Sequence, residues 1–186
     1  MKLHFFGCGS AFNPAMGNTS AWFEMDGCLF LVDCGETVYE LLMKRSNLRE
    51  YRQIYVLLTH LHADHTGLAP TLMKDKPGKM YMSRVDYAVL EGLMVGEVWK
   101  VSDANFIAEG FTQEQINILH SGNPARGFEP ECFFDVEELE DGDVITVGKW
   151  KFQCILVPGH TPGQMLLYQR EEQLLFTADH ILFDIT

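Results

Sequence analysis

Three short stretches of apolar-rich, strand-length sequence open the chain, at Leu3–Phe6, Ser20–Met25 and Cys28–Val32. Asp26-Gly27, between the second and third, is the residue pair of a two-residue hairpin turn. After Asp33-Cys34-Gly35 the period changes, and Val38, Leu41 and Leu42 recur at helical spacing over Glu36–Arg45. Ile54–Leu58 is a continuous apolar run, which predicts a strand buried on both faces. It feeds into Thr59-His60-Leu61-His62-Ala63-Asp64-His65, then a short predicted helix over Leu68–Met73 and a turn at Pro77-Gly78. Residues 83–120 are predicted to be mainly helical, with Ser83 and Thr112 as N-caps and Asp86 and Gln115 three residues on. From Cys132 the pattern returns to strands, over 132–136, 143–148, 150–157, 164–169 and 173–178. Strands, then helices, then strands predict a mixed α/β layered fold.

Composition narrows this picture. The 186 residues suit a single domain over 1–186, and 47% hydrophobic with 22% charged residues argues against disorder. Lys and Arg number 14 against 26 Asp and Glu, a net charge of −12 that disfavours general affinity for nucleic-acid backbones or anionic membranes. Eight of those acids fall in 129–143, a stretch without Lys or Arg that reads as a solvated loop and strand edge. The opening apolar stretch is too short for a signal-peptide core, and no run reaches membrane-spanning length. Five cysteines with no C-x-x-C pair predict free thiols and a cytoplasmic location.

The candidate chemistry lies in His60-x-His62-x-Asp64-His65. Extended backbone at a strand end projects His60 and His62 to one side, and the turn into a helix brings Asp64 and His65 beside them. Imidazole and carboxylate together suit zinc, and also manganese or iron. His160, in V-P-G-H-T-P-G (157–163), and Asp179, closing F-T-A-D (176–179), each follow a predicted strand, where open α/β sheets build their sites. The candidate metal ligands are therefore His60, His62, Asp64, His65, His160 and Asp179.

T-H-L-H-A-D-H (59–65), P-G-H-T-P-G (158–163) and T-A-D (177–179), in this order, resemble the metallo-β-lactamase fold superfamily. The resemblance implies a four-layer αββα sandwich with a metal pair at one edge of its two sheets. It implies His60, His62 and His160 on the first metal, Asp64 and His65 on the second, and Asp179 bridging them. One or two Zn2+ ions are expected, with Mn2+ or Fe2+ as alternatives. The implied mechanism is attack by a metal-bound hydroxide, with Asp64 as the catalytic residue that orients it. Asp33 is expected either to hydrogen-bond a ligand histidine or to play an ordinary turn role.

Members of this superfamily bring one more His to the second metal, downstream of the bridging Asp, whereas this sequence ends seven residues after Asp179. His4, His120 and His180 read as structural. The expectation is a sandwich lacking its C-terminal portion, whose exposed sheet edge favours self-association. F-F-G-C-G-S-A-F-N-P (5–14), G-N-T-S (17–20) and D-C-G-E (33–36) resemble the ribonuclease Z and phosphodiesterase branch. L-E-D-G-D-V-I (139–145), L-V-P-G-H-T-P-G-Q (156–164) and L-F-T-A-D-H-I-L (175–182) resemble the glyoxalase II and thioesterase branch. An intermediate lineage and a fusion near residues 66–80 both fit that division. The function expected is a metal-dependent hydrolase of a small thioester, ester or lactone. The alternatives are a phosphodiesterase or nuclease of the same fold, with long nucleic acid disfavoured by charge, and a non-catalytic, truncated or chimeric metal-binding domain without the last His.

Overall fold

The computed structural model describes residues 2–7, 9, 15–45, 47–123, 130 and 132–181. Cys8 and positions 10–14 of the opening motif, positions 129 and 131 of the acidic segment, and Leu182, Ile185 and Thr186 lie outside the described residues.

Asp26 and Gly27 both have positive φ, 51° and 73°, the backbone that a tight hairpin turn requires. The hairpin joins β2 (Ser20–Met25) to β3 (Cys28–Val32), and β1 (His4–Gly7) pairs antiparallel on the other side of β2. Parallel additions then extend the sheet: β4 (Gln53–Leu58) beside β3, β5 (Gly78–Ser83) beside β4, and β6 (Glu137–Leu139) beside β5. A second, antiparallel sheet has the order β10 (Leu174–Phe176), β9 (Met165–Gln169), β8 (Trp150–Leu156) and β7 (Val144–Val147).

The apolar run of β4 is buried on both faces as its composition predicts. Ile54, Val56 and Leu58 enter a core shared with the helices, where they join Val38 and Leu42 of α1 (Glu36–Arg45), Leu72 of α3 (Ala69–Met73) and Leu90 of α4 (Arg84–Met94). Leu57 enters the core between the sheets. There Phe30 stacks on Phe152 with ring centroids 5.1 Å apart, and Phe23 lies 5.0 Å from Phe30. Truncating Phe30 to Ala at this fully buried position would cost roughly 3–5 kcal/mol. The order of layers is therefore helices, six-stranded sheet, four-stranded sheet. On the outer face of the smaller sheet Val144, Lys151 and Gln153 are exposed. The second helical layer of the expected αββα sandwich is not among the described residues.

Two expectations need correction. The strand predicted over 132–136 is absent, and pairing begins only at Glu137. The Phe134 carbonyl instead accepts from the Tyr87 hydroxyl, and the Phe134 side chain fills the helical core, so this backbone makes no ladder. The predicted strand 173–178 ends at Phe176. Residues 83–120 divide into α4, α5 (Glu97–Ala108) and α6 (Gln113–Ser121), broken at Gly96 and Gly110, both with positive φ. Ser83 caps α4 and Thr112 forms a full capping box on α6, as predicted. Cys28, Cys34, Cys132 and Cys154 are free thiols. No helix of the described residues is long and apolar enough to cross a membrane.

Candidate metal centre

The parallel strands β3 and β4 end side by side, and the chain leaving each supplies polar groups to the same edge. Asp33 follows β3, and Thr59 to His65 follow β4 and enter the one-turn helix α2 (Ala63–Thr66). From the second sheet come His160, in the loop between β8 and β9, and Asp179, on the 3-10 turn Ala178–His180 after β10. The Met165 amide donates to the Thr59 carbonyl at 2.8 Å, which stitches the two sheets together beside the cluster.

Three imidazoles meet there. His62 Nδ1 lies 3.1 Å from His60 Nε2 and 3.0 Å from His160 Nε2. Next to them, His65 Nε2 is 3.5 Å from both Asp64 Oδ2 and Asp179 Oδ1. The other Asp179 oxygen is 3.6 Å from His160 Nε2, so this carboxylate stands between the His65 side and the His160 side.

The proton positions follow from the residues behind the rings. Thr59 Oγ1 lies 3.0 and 2.9 Å from the two Asp33 oxygens. A carboxylate only accepts, so the single hydroxyl proton of Thr59 is donated to Asp33. Thr59 Oγ1 therefore accepts from His60 Nδ1–H at 3.1 Å, which leaves a lone pair on His60 Nε2 facing the cluster. His65 Nδ1–H donates to Asp33 Oδ2 at 2.9 Å, which turns its Nε2 toward the Asp64 and Asp179 carboxylates. One buried carboxylate thus orients two rings, so the interaction left open by the sequence is the hydrogen-bonding one. Gly35 permits it, because a Cβ there would stand 1.9 Å from the Asp64 carbonyl oxygen.

Asp86 performs a related task for the other two histidines. It is fully buried on α4 and accepts from the Leu61 amide at 3.0 Å, the Gly163 amide at 2.7 Å and the Thr161 hydroxyl at 2.6 Å. These donors flank His62 and His160, so the two loops are tied to one point. Gly163 is required for the approach, since a Cβ would lie 2.3 Å from Ser83 Oγ. Gln164, with its amide turned to suit its neighbours, accepts from the amides of Asp179 and His180 at 3.0 and 2.9 Å and fixes the 3-10 turn.

Burial, together with charge on His65, His62 and His160, pushes His60 far below its ordinary pKa. Burial and then His160 lower His62. Burial would also lower His65, but the Asp33 charge and hydrogen bonds to Asp179, Asp33 and Asp64 outweigh it and hold His65 well above its ordinary value. Burial would raise Asp64 and Asp179, yet the His65 hydrogen bond prevails and both lie below the usual carboxylate range.

The donor set fits a divalent cation. Two nitrogens at about 2.0–2.1 Å from a tetrahedral zinc are about 3.3 Å apart, close to the 3.0 and 3.1 Å found here. A proton serves this geometry less well, because His62 Nδ1 faces both His60 Nε2 and His160 Nε2 and can share a proton with only one of them. The donor atoms of His60, His62 and His160 lie within 4.8 Å of one another, as do those of His60, His65 and Asp179. Asp64 lies outside both sets and touches the cluster through His65. Of the histidines read as structural, His4 stacks on Trp22 and His120 pairs with Asp103. His180 is exposed. Sequence reasoning missed Asp86 as a site residue, assigning it only to the Ser83 cap. Its position four residues before buried Leu90, on one helix face, was the available signal.

Packed sheets whose strand-end loops gather imidazoles and carboxylates at a common edge define a candidate divalent-metal centre. The sequence profile of the metallo-beta-lactamase superfamily matches residues 15–186, and the chain belongs to that superfamily. It is 40% identical to the anti-Pycsar protein Apyc1 of Paenibacillus harenae over 140 residues, 75% of this chain and 50% of that one. It is 26% identical to the human acyl-coenzyme A thioesterase MBLAC2 over 72% of this chain and 43% of that one. Ribonuclease Z of Treponema denticola is 39% identical, over 39% of this chain and 24% of its own. A metallo-beta-lactamase family protein from Thermus thermophilus shares the fold, with a TM-score of 0.72 at 18% identity over 99% of this chain and 61% of that one. The chain spans about half the length of the curated relatives it matches, 52% and 50% for two Apyc1 proteins.

Proposed function

We propose that the chain is a metal-dependent hydrolase of small thioesters, esters or lactones. The observation that carries this reading is the convergence of His60, His62 and His160 beside His65 and Asp179. In this reading the three histidines would hold one divalent cation, and Asp64, His65 and Asp179 would supply ligands for a second. Zinc suits the donors, with manganese or iron as alternatives. Bound divalent ions supply Lewis acidity and bring the pKa of a water toward about 7.

The chain's own residues then act as follows. Asp33 and Thr59 keep the Nε2 atoms of His60 and His65 directed at the cluster. Asp86 holds the His62 and His160 loops at fixed separation. Asp64, ionised at neutral pH, accepts at Oδ2 a proton from the attacking water and orients it. A net charge of −12 favours a small acyl substrate over a long polyanion, and the similarity to an acyl-coenzyme A thioesterase supports the same class. The free thiols suit a reducing, cytoplasmic setting. A phosphodiesterase reading draws support from the ribonuclease Z similarity, which covers a smaller part of the chain.

Hydrolysis assays on zinc- or manganese-loaded protein test the proposal, with S-lactoylglutathione, a simple lactone and bis-p-nitrophenyl phosphate as substrates. Turnover of an acyl substrate, lost on chelation and restored by metal, is the expected result. Turnover of the phosphodiester alone would replace the first reading with the second. No turnover by fully loaded protein would leave a metal-binding domain without this activity.

A further inference from the structure

A cavity of about 210 Å³ opens directly beside His62. Leu61 and Ala63 flank the histidine in sequence and form the near wall. Leu90 and Leu93 of α4, Trp99 of α5 and Pro130 form the far wall. Among the described residues the lining holds no acid, amide, Lys or Arg, so His62 is its one ionisable group. Apolar walls leading to a single polar edge are what a binding site for an apolar group attached to a reacting polar one requires.

The far wall is braced rather than incidental. None of the residues of α5 is buried, so this helix adds little to the core. Its Trp99 lines the cavity, and the indole meets His120 of α6 edge-on, with centroids 6.1 Å apart. His120 is itself held by Asp103 of α5 at 2.8 Å. The α5–α6 pair therefore fixes the indole next to the candidate metal centre.

We propose that this cavity is an acyl pocket, which receives the apolar acyl chain of the substrate while the ester or thioester carbonyl lies at the histidine cluster. The inference rests on the acyl-hydrolase reading and specifies its substrate class. An apolar cavity of about 150 Å³ accommodates benzene. A volume of 210 Å³ therefore admits a phenyl ring or an unbranched chain of roughly six carbons, and rejects much longer ones. Among the described residues of the lining, His62 is the one polar side chain that a nucleotide or phosphate could engage.

The chain-length profile provides the test. Metal-loaded protein is assayed with p-nitrophenyl acetate, butyrate, hexanoate and decanoate. The expected optimum is at butyrate or hexanoate, with kcat/KM about tenfold or more above acetate. Leu93→Trp fills the pocket and lowers the hexanoate-to-acetate ratio about tenfold, and Leu93→Ala enlarges it and moves the optimum toward decanoate. A flat profile, or a ratio that neither substitution moves, overturns the proposal even if the esters are hydrolysed. If wild-type protein hydrolyses neither these esters nor the thioester and lactone named above, the acyl-hydrolase reading fails and the pocket is judged by binding alone. Hexanoate would then change the tryptophan emission at concentrations where acetate does not, and Trp99→Phe would abolish that change. No chain-length-dependent change in emission overturns the pocket as well.

Discussion

The Asp86 carboxylate accepts from the Thr161 hydroxyl at 2.6 Å, across 75 residues of chain. Through it a helix of the first layer grips the loop carrying His160, and through the Leu61 amide it grips the loop carrying His62. Asp86→Ala removes the acceptor of three buried donors, each of which costs roughly 1–3 kcal/mol when left unmet. Urea denaturation is expected to register a loss of about 3 kcal/mol or more, with weaker zinc uptake. Wild-type values for both would show that the loops hold their positions without this link.

Asp33 sets the direction of two candidate ligands at once. Asp33→Asn takes the acceptor from His65 Nδ1–H and disturbs the Thr59 hydroxyl that receives His60 Nδ1–H. Such partners are worth about 10- to 100-fold in metal affinity. Competition against a chromophoric chelator should show that loss for Asp33→Asn. Thr59→Val, which breaks only the His60 arm, should fall between it and the wild type. Equal affinity in all three proteins would assign Asp33 to folding alone.

Asp64→Asn preserves size and hydrogen-bonding capacity but removes the proton acceptor. Metal-replete Asp64→Asn protein is expected to fold normally and to lose turnover of every substrate that the wild type accepts. Normal turnover would remove Asp64 from the catalytic role.

The buried thiols predict an alkaline weakness. Burial, assisted by the Asp143 charge, pushes Cys154 from 9.0 up to about 12. Between those values the unfolded chain has released the proton and the folded chain retains it, so unfolding becomes easier as pH rises. The stabilisation is complete below pH 9 and declines by roughly 1.4 kcal/mol per pH unit above it. Cys34, raised by burial and then by Asp33, acts in the same direction. Urea unfolding in reductant at about pH 8 and about pH 10.5 should show the decline, and Cys154→Ala should reduce its slope. Identical slopes in the two proteins would contradict the burial argument.

The parts of the molecule legible in sequence are those whose cause is local. Asp26-Gly27 specifies its own turn, and Ile54–Leu58 declares a strand covered on both faces. Four donor-type side chains within six residues, at 60–65, announce themselves at a strand end. His160 and Asp179 were legible as strand-end residues and through the family resemblance, although Asp179 sits on a 3-10 turn rather than on the strand itself. The parts that were not legible depend on distant partners. Asp86 takes its role from Thr161 and Gly163, 75 and 77 residues away, and its one local signal, a place on the same helix face as Leu90, says nothing of those partners. The segment 132–136 has strand composition, but the Tyr87 hydroxyl takes one of its carbonyls and Phe134 is drawn into the core. The apolar cavity beside His62 combines three separate stretches of chain, so no single pattern carries it.

Metal stoichiometry decides whether His60, His62 and His160 form a metal centre. Purified protein is equilibrated with zinc, passed through a desalting column and measured by inductively coupled plasma mass spectrometry, alongside His62→Ala and His160→Ala. At least one zinc per wild-type chain is expected, with a clear loss in both variants, while circular dichroism shows that their fold is retained. A wild-type chain that retains no divalent ion, or variants that retain as much as the wild type, would contradict a metal centre at His60, His62 and His160.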